Sequence, residues 1–160
     1  MKKNLLYKEA AEQLLIRVAK LQPSSKALWG TMNATEMLLH CNRCNEQVFT
    51  EGSSGKKTTL KQYLLRILAL YIAPNFKKNI KGDKRNETKG TIDASCFEEQ
   101  KVRFMQLISH FPKHQGPLAL PHIAFGNIST NEWGIAAWKH MDHHLRQFGV
   151  WVETVSSLIE

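Results

Sequence analysis

Apolar residues recur at spacings of three and four along four separate segments of this chain, and no stretch alternates as a half-buried strand does. That pattern predicts an all-α fold. The first segment runs from about Asn4 to Leu21, with Leu6, Ala10, Leu14, Val18 and Leu21 on one stripe, and closes at Gln22-Pro23-Ser24-Ser25. The second opens at Asn33, whose side chain can cap a helix while Glu36 returns the bond from the third helical position. Its face is Met37, Cys41, Cys44 and Val48, and Gly52-Ser53-Ser54-Gly55 ends it. The third long segment starts near Asp93 or Ser95 and shows Phe97, Phe104, Ile108 and Phe111 before Pro112. The fourth opens on the capping box Ser129 to Glu132 and is expected to continue to the C-terminus. Its face carries Trp133, Ala137, His140, His144, Gln147, Trp151, Val155 and Leu158.

Four amphipathic helices bury their stripes most simply against one another, so a four-helix bundle is expected. An extra element interrupts it between the second and third long helices. Thr58 to Ala73 reads as a short, very apolar helix halted by Pro74, and the Asn/Gly/Lys-rich segment after it reads as an exposed connection. With no internal repeat and no low-complexity tract, residues 1–160 are expected to form one domain.

Charge and cysteine usage narrow the setting. The chain has a net charge of +8, much of it from Lys77, Lys78, Lys81, Lys84, Arg85 and Lys89 in that one connection. No recognition motif and no interleaved aromatics accompany the run, so a nucleic-acid partner is not expected. The longest apolar stretch, Tyr63 to Ala73, is broken by Arg66 and is far shorter than the roughly 20 residues a membrane span needs. Three cysteines, with Cys41 and Cys44 adjacent in register and Cys96 remote, do not form a disulfide framework. The N-terminus lacks the apolar core of a secretion signal, and a cytoplasmic protein is expected.

Three of the seven histidines fall within Trp138 to Gln147. His140 and His144 stand one turn apart, about 40° around the helix, within the arc of Trp133, Ala137 and Trp151. Both imidazoles therefore face the core, while Lys139, Asp142 and Arg146 lie largely on the opposite, polar face. Separate hydrogen bonds to neighbouring helices would satisfy two such rings, but one cation satisfies both at once. A divalent metal needs a further ligand, and His40 is the best placed, bordering the core-facing stripe of the second helix. Zinc, nickel or iron would suit three imidazoles with open positions. His143 sits at the boundary of the face, and His110, His114 and His122 fall in or near a Pro/Gly-rich stretch where ligation is not expected. Cys41 and Cys44 form a Cys-x-x-Cys about two turns inside the second helix, away from the N-terminal amides that activate such thiols. Packing is their expected role, with Cys44 a lesser ligand candidate because it stands four residues from His40.

These residues also carry a resemblance. His122-Ile123-Ala124-Phe125-Gly126-Asn127 leading to Trp133-Gly134, then Lys139-His140-Met141-Asp142-His143-His144-Leu145-Arg146-Gln147-Phe148-Gly149, is similar to the C-terminal signature of a family in the DinB/YfiT-like superfamily. Trp29-Gly30-x-Met32-x-x-x-Glu36-Met37-x-x-His40 resembles its helix-two motif. The resemblance implies a four-helix bundle with up-down-down-up connections, often dimeric, and a divalent metal held by His40, His140 and His144. It further implies metal-dependent chemistry, either thiol-dependent transfer or isomerisation with a low-molecular-weight thiol, or a hydrolase-like reaction. The competing expectation is a non-enzymatic, stress-associated protein that holds a metal or small molecule in the same place. A homodimer is expected from the resemblance and from the apolar insert.

Overall fold

In a computed structural model the chain is all-helical, with no strand among the residues it describes, namely 3–53, 55, 57–80 and 82–151. The helices are α1 (Lys8–Ala19), α2 (Ala34–Thr50), α3 (Leu60–Ile67), α4 (Phe97–His110) and α5 (Thr130–Gln147). Four of them form a bundle in which α2 packs most extensively on α4, α1 lies against α4 and α5, and α5 reaches α2. The stripes read from the sequence meet at its centre, where Leu14, Val18, Met37, Phe104, Ile108, Met141 and Leu145 are wholly enclosed. Burying each such side chain stabilises the fold by about 1.5–3 kcal/mol.

Helix starts follow the caps that the sequence provides. Asn33 accepts from Glu36 N–H while Glu36 Oε2 accepts from Asn33 N–H, and the same reciprocal box joins Ser129 with Glu132. Asp93 accepts from Ser95 N–H and opens a 3₁₀ turn, Ala94–Cys96, that leads into α4. Two boundaries differ from expectation. The first helix begins at Lys8 because residues 4–7 form a turn held on α5: Leu5 N–H donates to Gly134 O at 2.9 Å and Asn4 bonds Asn131. A Cβ on Gly134 would collide with the Asn4 side chain, so this close crossing requires glycine.

The second difference is larger, because α5 stops at Gln147 and does not run on through Trp151. Gly149 takes φ +73°, Val150 N–H donates to Leu145 O at 2.9 Å, and Gly149 N–H donates to Arg146 O at 3.1 Å. This is a Schellman closure, with Val150 buried on the helix it terminates. Trp151 has left the stripe and is exposed, while Val155 and Leu158 lie outside the described residues.

The polar face expected on α5 is also covered. Lys139 and Asp142 are buried, the first by the insert and the second by α1. Lys139 Nζ donates to Ala69 O and Ala73 O, capping the π-helical turn Leu68–Ile72 in which α3 ends before Pro74. Arg17 reaches Asp142 at 2.8 Å and donates from Nε and Nη2 to Val150 O, while Arg146 takes the other carboxylate oxygen at 3.0 Å. Lys139 and Asp142 are tolerated on a buried face because Lys139 bonds two carbonyls of the insert and Asp142 pairs with Arg17 of α1 and with Arg146 of its own helix. Among the described residues no helix is long and apolar enough to cross a membrane.

Candidate metal centre

The sequence places His140 and His144 on the face of α5 that meets α2, and the fold brings His40 of α2 against both. Its Nε2 lies 3.1 Å from His140 Nε2, and His144 Nε2 lies 3.2 Å from that same atom. The rings meet edge to face, with His40 and His144 centroids 4.9 Å apart. Both other predicted ligands therefore meet His140, which is the shared member.

The outer nitrogens decide what the inner ones can do. His40 Nδ1 is 2.7 Å from Asn86 O, a carbonyl that only accepts, so Nδ1 carries the proton. His144 Nδ1 is 2.8 Å from Gln147 Oε1. The Gln147 amide is oriented by its own Nε2, which donates to Trp29 O at 2.6 Å, so Oε1 is the acceptor and His144 Nδ1 is also protonated. Both rings thus present a bare Nε2 lone pair to His140 Nε2. One proton on that atom can serve His40 or His144 but not both in line, which leaves lone pairs opposed across about 3 Å unless a cation lies among them.

A proton is a poor choice of cation here. Burial is the main cause holding each ring below the ordinary histidine range, and it sets His144 at about 3. His140 is pushed lowest in direction, first by burial and then by its neighbours His144 and His40. A divalent ion instead uses the neutral imidazoles as they stand. Ligands at about 2.0–2.1 Å around one ion stand about 2.8–3.4 Å apart for bond angles between octahedral and tetrahedral values. The two separations from His140 Nε2, 3.1 and 3.2 Å, fall inside that interval, and side-chain groups built on His140 with either His40 or His144 could hold a metal ion.

Residues outside the triad build it. Asn86 belongs to the basic connection, which is not simply exposed, since Asn86 and Thr88 are buried. The connection is laced to α2 by two bonds between the Asn86 and Gln47 amides, by Thr88 Oγ1 donating to Glu36 O, and by Gly90 N–H donating to Glu36 Oε1. On the other side Gly30, at φ +78°, leaves room for Gln147: a Cβ there would lie 2.6 Å from Gln147 Nε2. Such outer partners fix tautomer and ring orientation at metal sites. Gln147 was visible on the histidine face, three residues from His144, but its role as orienter and that of Asn86 were not.

The other histidines have different surroundings. His143 is half-buried, edge-on to Trp29 and to His144 with centroids 5.5 and 5.2 Å apart. His122 stacks on Phe125 at 4.1 Å, accepts from Ala124 N–H through Nδ1, and is lowered to about 4 by burial. His110 and His114 flank Phe49. Trp133 and Trp138 are buried in the core. Cys41 is fully enclosed and donates to Met37 Sδ, whereas Cys44 Sγ lies 3.8 Å from His40 Nε2. Burial raises both thiols, Cys44 to about 12, which agrees with the absence of helix-terminal activation. Among the described residues two groups of side chains could each hold a metal ion, His40 with Cys44 and His140, and Cys41 with His140 and His144.

A family model matches residues 1–150, including both halves of this centre. The chain belongs to that family, described as "Protein of unknown function (DUF1569)". The DUF1569 match takes in Gly30, His40, Asn86, His140, His144 and Gln147 together, along with the insert and its basic connection. No curated protein and no solved structure matches the chain.

Proposed function

We propose that this chain is a divalent-metal-binding protein, with His40, His140 and His144 as the ligands and zinc, nickel or iron as the ion. The observation that carries the reading is the pair of bare Nε2 atoms aimed at His140 Nε2, each fixed by a protonated Nδ1 on a carbonyl oxygen. The DinB/YfiT-like resemblance supports the same triad and brings with it a single domain over residues 1–160 with up-down-down-up connections. Such an ion, when bound, supplies Lewis acidity that polarises a carbonyl or lowers the pKa of a bound thiol or water. The chain's own contribution is to hold three neutral imidazoles in place, through Asn86 and Gln147, within a largely buried site.

The reaction class we carry from the resemblance is metal-assisted transfer or isomerisation using a low-molecular-weight thiol. The second reading is a non-enzymatic holder of the ion, favoured by the enclosure of His144 and by the thiols close to the triad. Titration of chelator-stripped, untagged protein with zinc or nickel tests the shared core of both. One equivalent should bind the wild type and none the His140→Ala variant, with helical circular dichroism preserved in each. Binding that His140→Ala leaves unchanged would end the proposal. Thiol binding to the loaded protein, absent from the stripped protein, would then favour the enzyme over the holder.

Self-association through α3 belongs to the same proposal. Leu60, Leu64, Leu68, Tyr71 and Ile72 are exposed on this insert, a larger apolar surface than isolated surface residues account for. A second copy laid on that face would bury it in each subunit. Light scattering should give a dimer that Leu64→Glu with Leu68→Glu converts to a monomer; a monomeric wild type at dilute concentration would contradict it.

A further inference from the structure

The three imidazoles are not the only donors at the centre. We propose that Cys44 Sγ is the fourth protein ligand, so that the resting ion sits in a three-nitrogen, one-sulfur site. This rests on the metal-binding reading above and deepens it.

Cys44 follows His40 by four residues on α2, so the two side chains leave the same stripe and lean toward the helix N-terminus together. The thiol lies 3.8 Å from His40 Nε2, the lone-pair nitrogen, and its sulfur, that nitrogen and a His140 ring nitrogen are all within 4.8 Å of one another. An ion at about 2.1 Å from nitrogen and about 2.3 Å from sulfur in a tetrahedral site separates the two donors by about 3.6 Å. The thiol and the His40 nitrogen therefore stand within a few tenths of an ångström of the spacing that one ion would impose on them. His140 belongs to both donor groups, so the thiol approaches the ring that His40 and His144 Nε2 also face.

Cys41 is the rival, and its surroundings count against it. Its Sγ already donates to Met37 Sδ and it is wholly enclosed by the core, whereas Cys44 is only half-buried and its sulfur faces the ligand nitrogen. Coordination by Cys44 conserves atoms simply. The thiol releases its proton to solvent, the sulfur donates an electron pair to the ion, and the ion gives up one water. Two consequences follow. A sulfur donor selects zinc, nickel or cobalt over magnesium, calcium and manganese. An external thiol or water must then displace Cys44 or add as a fifth ligand, which makes Cys44 the group that governs access to the ion.

Cobalt(II) alone is the probe. Stripped wild-type protein should bind one equivalent and show a near-ultraviolet sulfur-to-cobalt charge-transfer band with the strong visible bands of a four-coordinate site. Cys44→Ser should still bind one equivalent but lose the charge-transfer band, and Cys41→Ala should keep it. One equivalent of cobalt without that band in the wild type overturns the proposal while leaving the histidine reading intact. So does a band that survives Cys44→Ser and vanishes in Cys41→Ala. Failure of the wild type to bind cobalt or zinc at all overturns both. If Cys44→Ser does not fold, X-ray absorption of the zinc-loaded wild type decides alone: one sulfur at about 2.3 Å is expected, and a shell of nitrogen and oxygen only refutes it.

Discussion

Replacing Gly30 by alanine should weaken metal binding although Gly30 touches no ligand. Gly30 holds φ +78°, a conformation that costs an alanine roughly 1–2 kcal/mol, and that part of the effect falls on stability alone. The added Cβ would lie 2.6 Å from Gln147 Nε2, the atom that donates to Trp29 O. Gln147 is 3% exposed and its Nε2 is the atom the new Cβ meets, so its amide must shift, and His144 Nδ1 then loses the acceptor that fixes its tautomer. Loss of such an orienting partner typically reduces metal affinity 10- to 100-fold, which is about 1.4–2.7 kcal/mol. The control is Gly55→Ala, at φ +68° with nothing within 4 Å, which carries the backbone cost without the collision. Competition titration against a chelator measures affinity, and denaturant unfolding of the stripped proteins measures stability. Both variants should lose similar stability and only Gly30→Ala should lose affinity. Wild-type affinity in Gly30→Ala would refute the idea that the Gln147 amide sets His144.

Arg17→Met should destabilise the stripped protein by about 1–3 kcal/mol, since it takes one of two cationic partners from the buried Asp142 carboxylate and leaves the Val150 carbonyl without the Arg17 donors, and the double variant with Asp142→Leu should recover part of that loss in denaturant midpoints. Equal midpoints for Arg17→Met and wild type would contradict it. Acid should destabilise the stripped protein: burial keeps the His40, His140 and His144 rings neutral in the folded state, His144 down to about 3, while an unfolded histidine takes up a proton near about 6.5. The unfolded chain binds more protons between those values, so stability is full above about pH 6.5 and falls below it, by up to about 1.4 kcal/mol per imidazole per pH unit. A flat profile between about pH 7 and 5 would contradict the burial of these rings. Lys139→Met should free the end of the insert from α5, read as faster amide exchange over residues 60–73 with little change in α2.

Much of this organisation was legible in the sequence, because periodicity and caps act over a few residues. The boxes at Asn33 and Ser129 set two helix starts, and the phase of His140 and His144 with the stripe of α2 foretold which rings would meet. What escaped notice depends on long-range partners. A charge is read as solvent-facing until its counterpart is known, so Lys139 and Asp142 were assigned to an open face that α3 and Arg17 in fact cover. The end of α5 was masked by a stripe that persists into Trp151, although Gly149 two residues past Gln147 was the available signal. Asn86 had none, because it acts through a backbone carbonyl in a lysine-rich connection whose composition says nothing of where that carbonyl points.

The histidine centre stands or falls on metal content. Untagged protein, produced with zinc, nickel and iron all supplied and purified without chelators, should contain close to one equivalent of a single divalent metal per chain by elemental analysis. His140→Ala prepared in parallel should contain none while keeping its helical spectrum. Wild-type protein that carries no metal, and takes up none from an excess of each ion, would contradict the account at its centre.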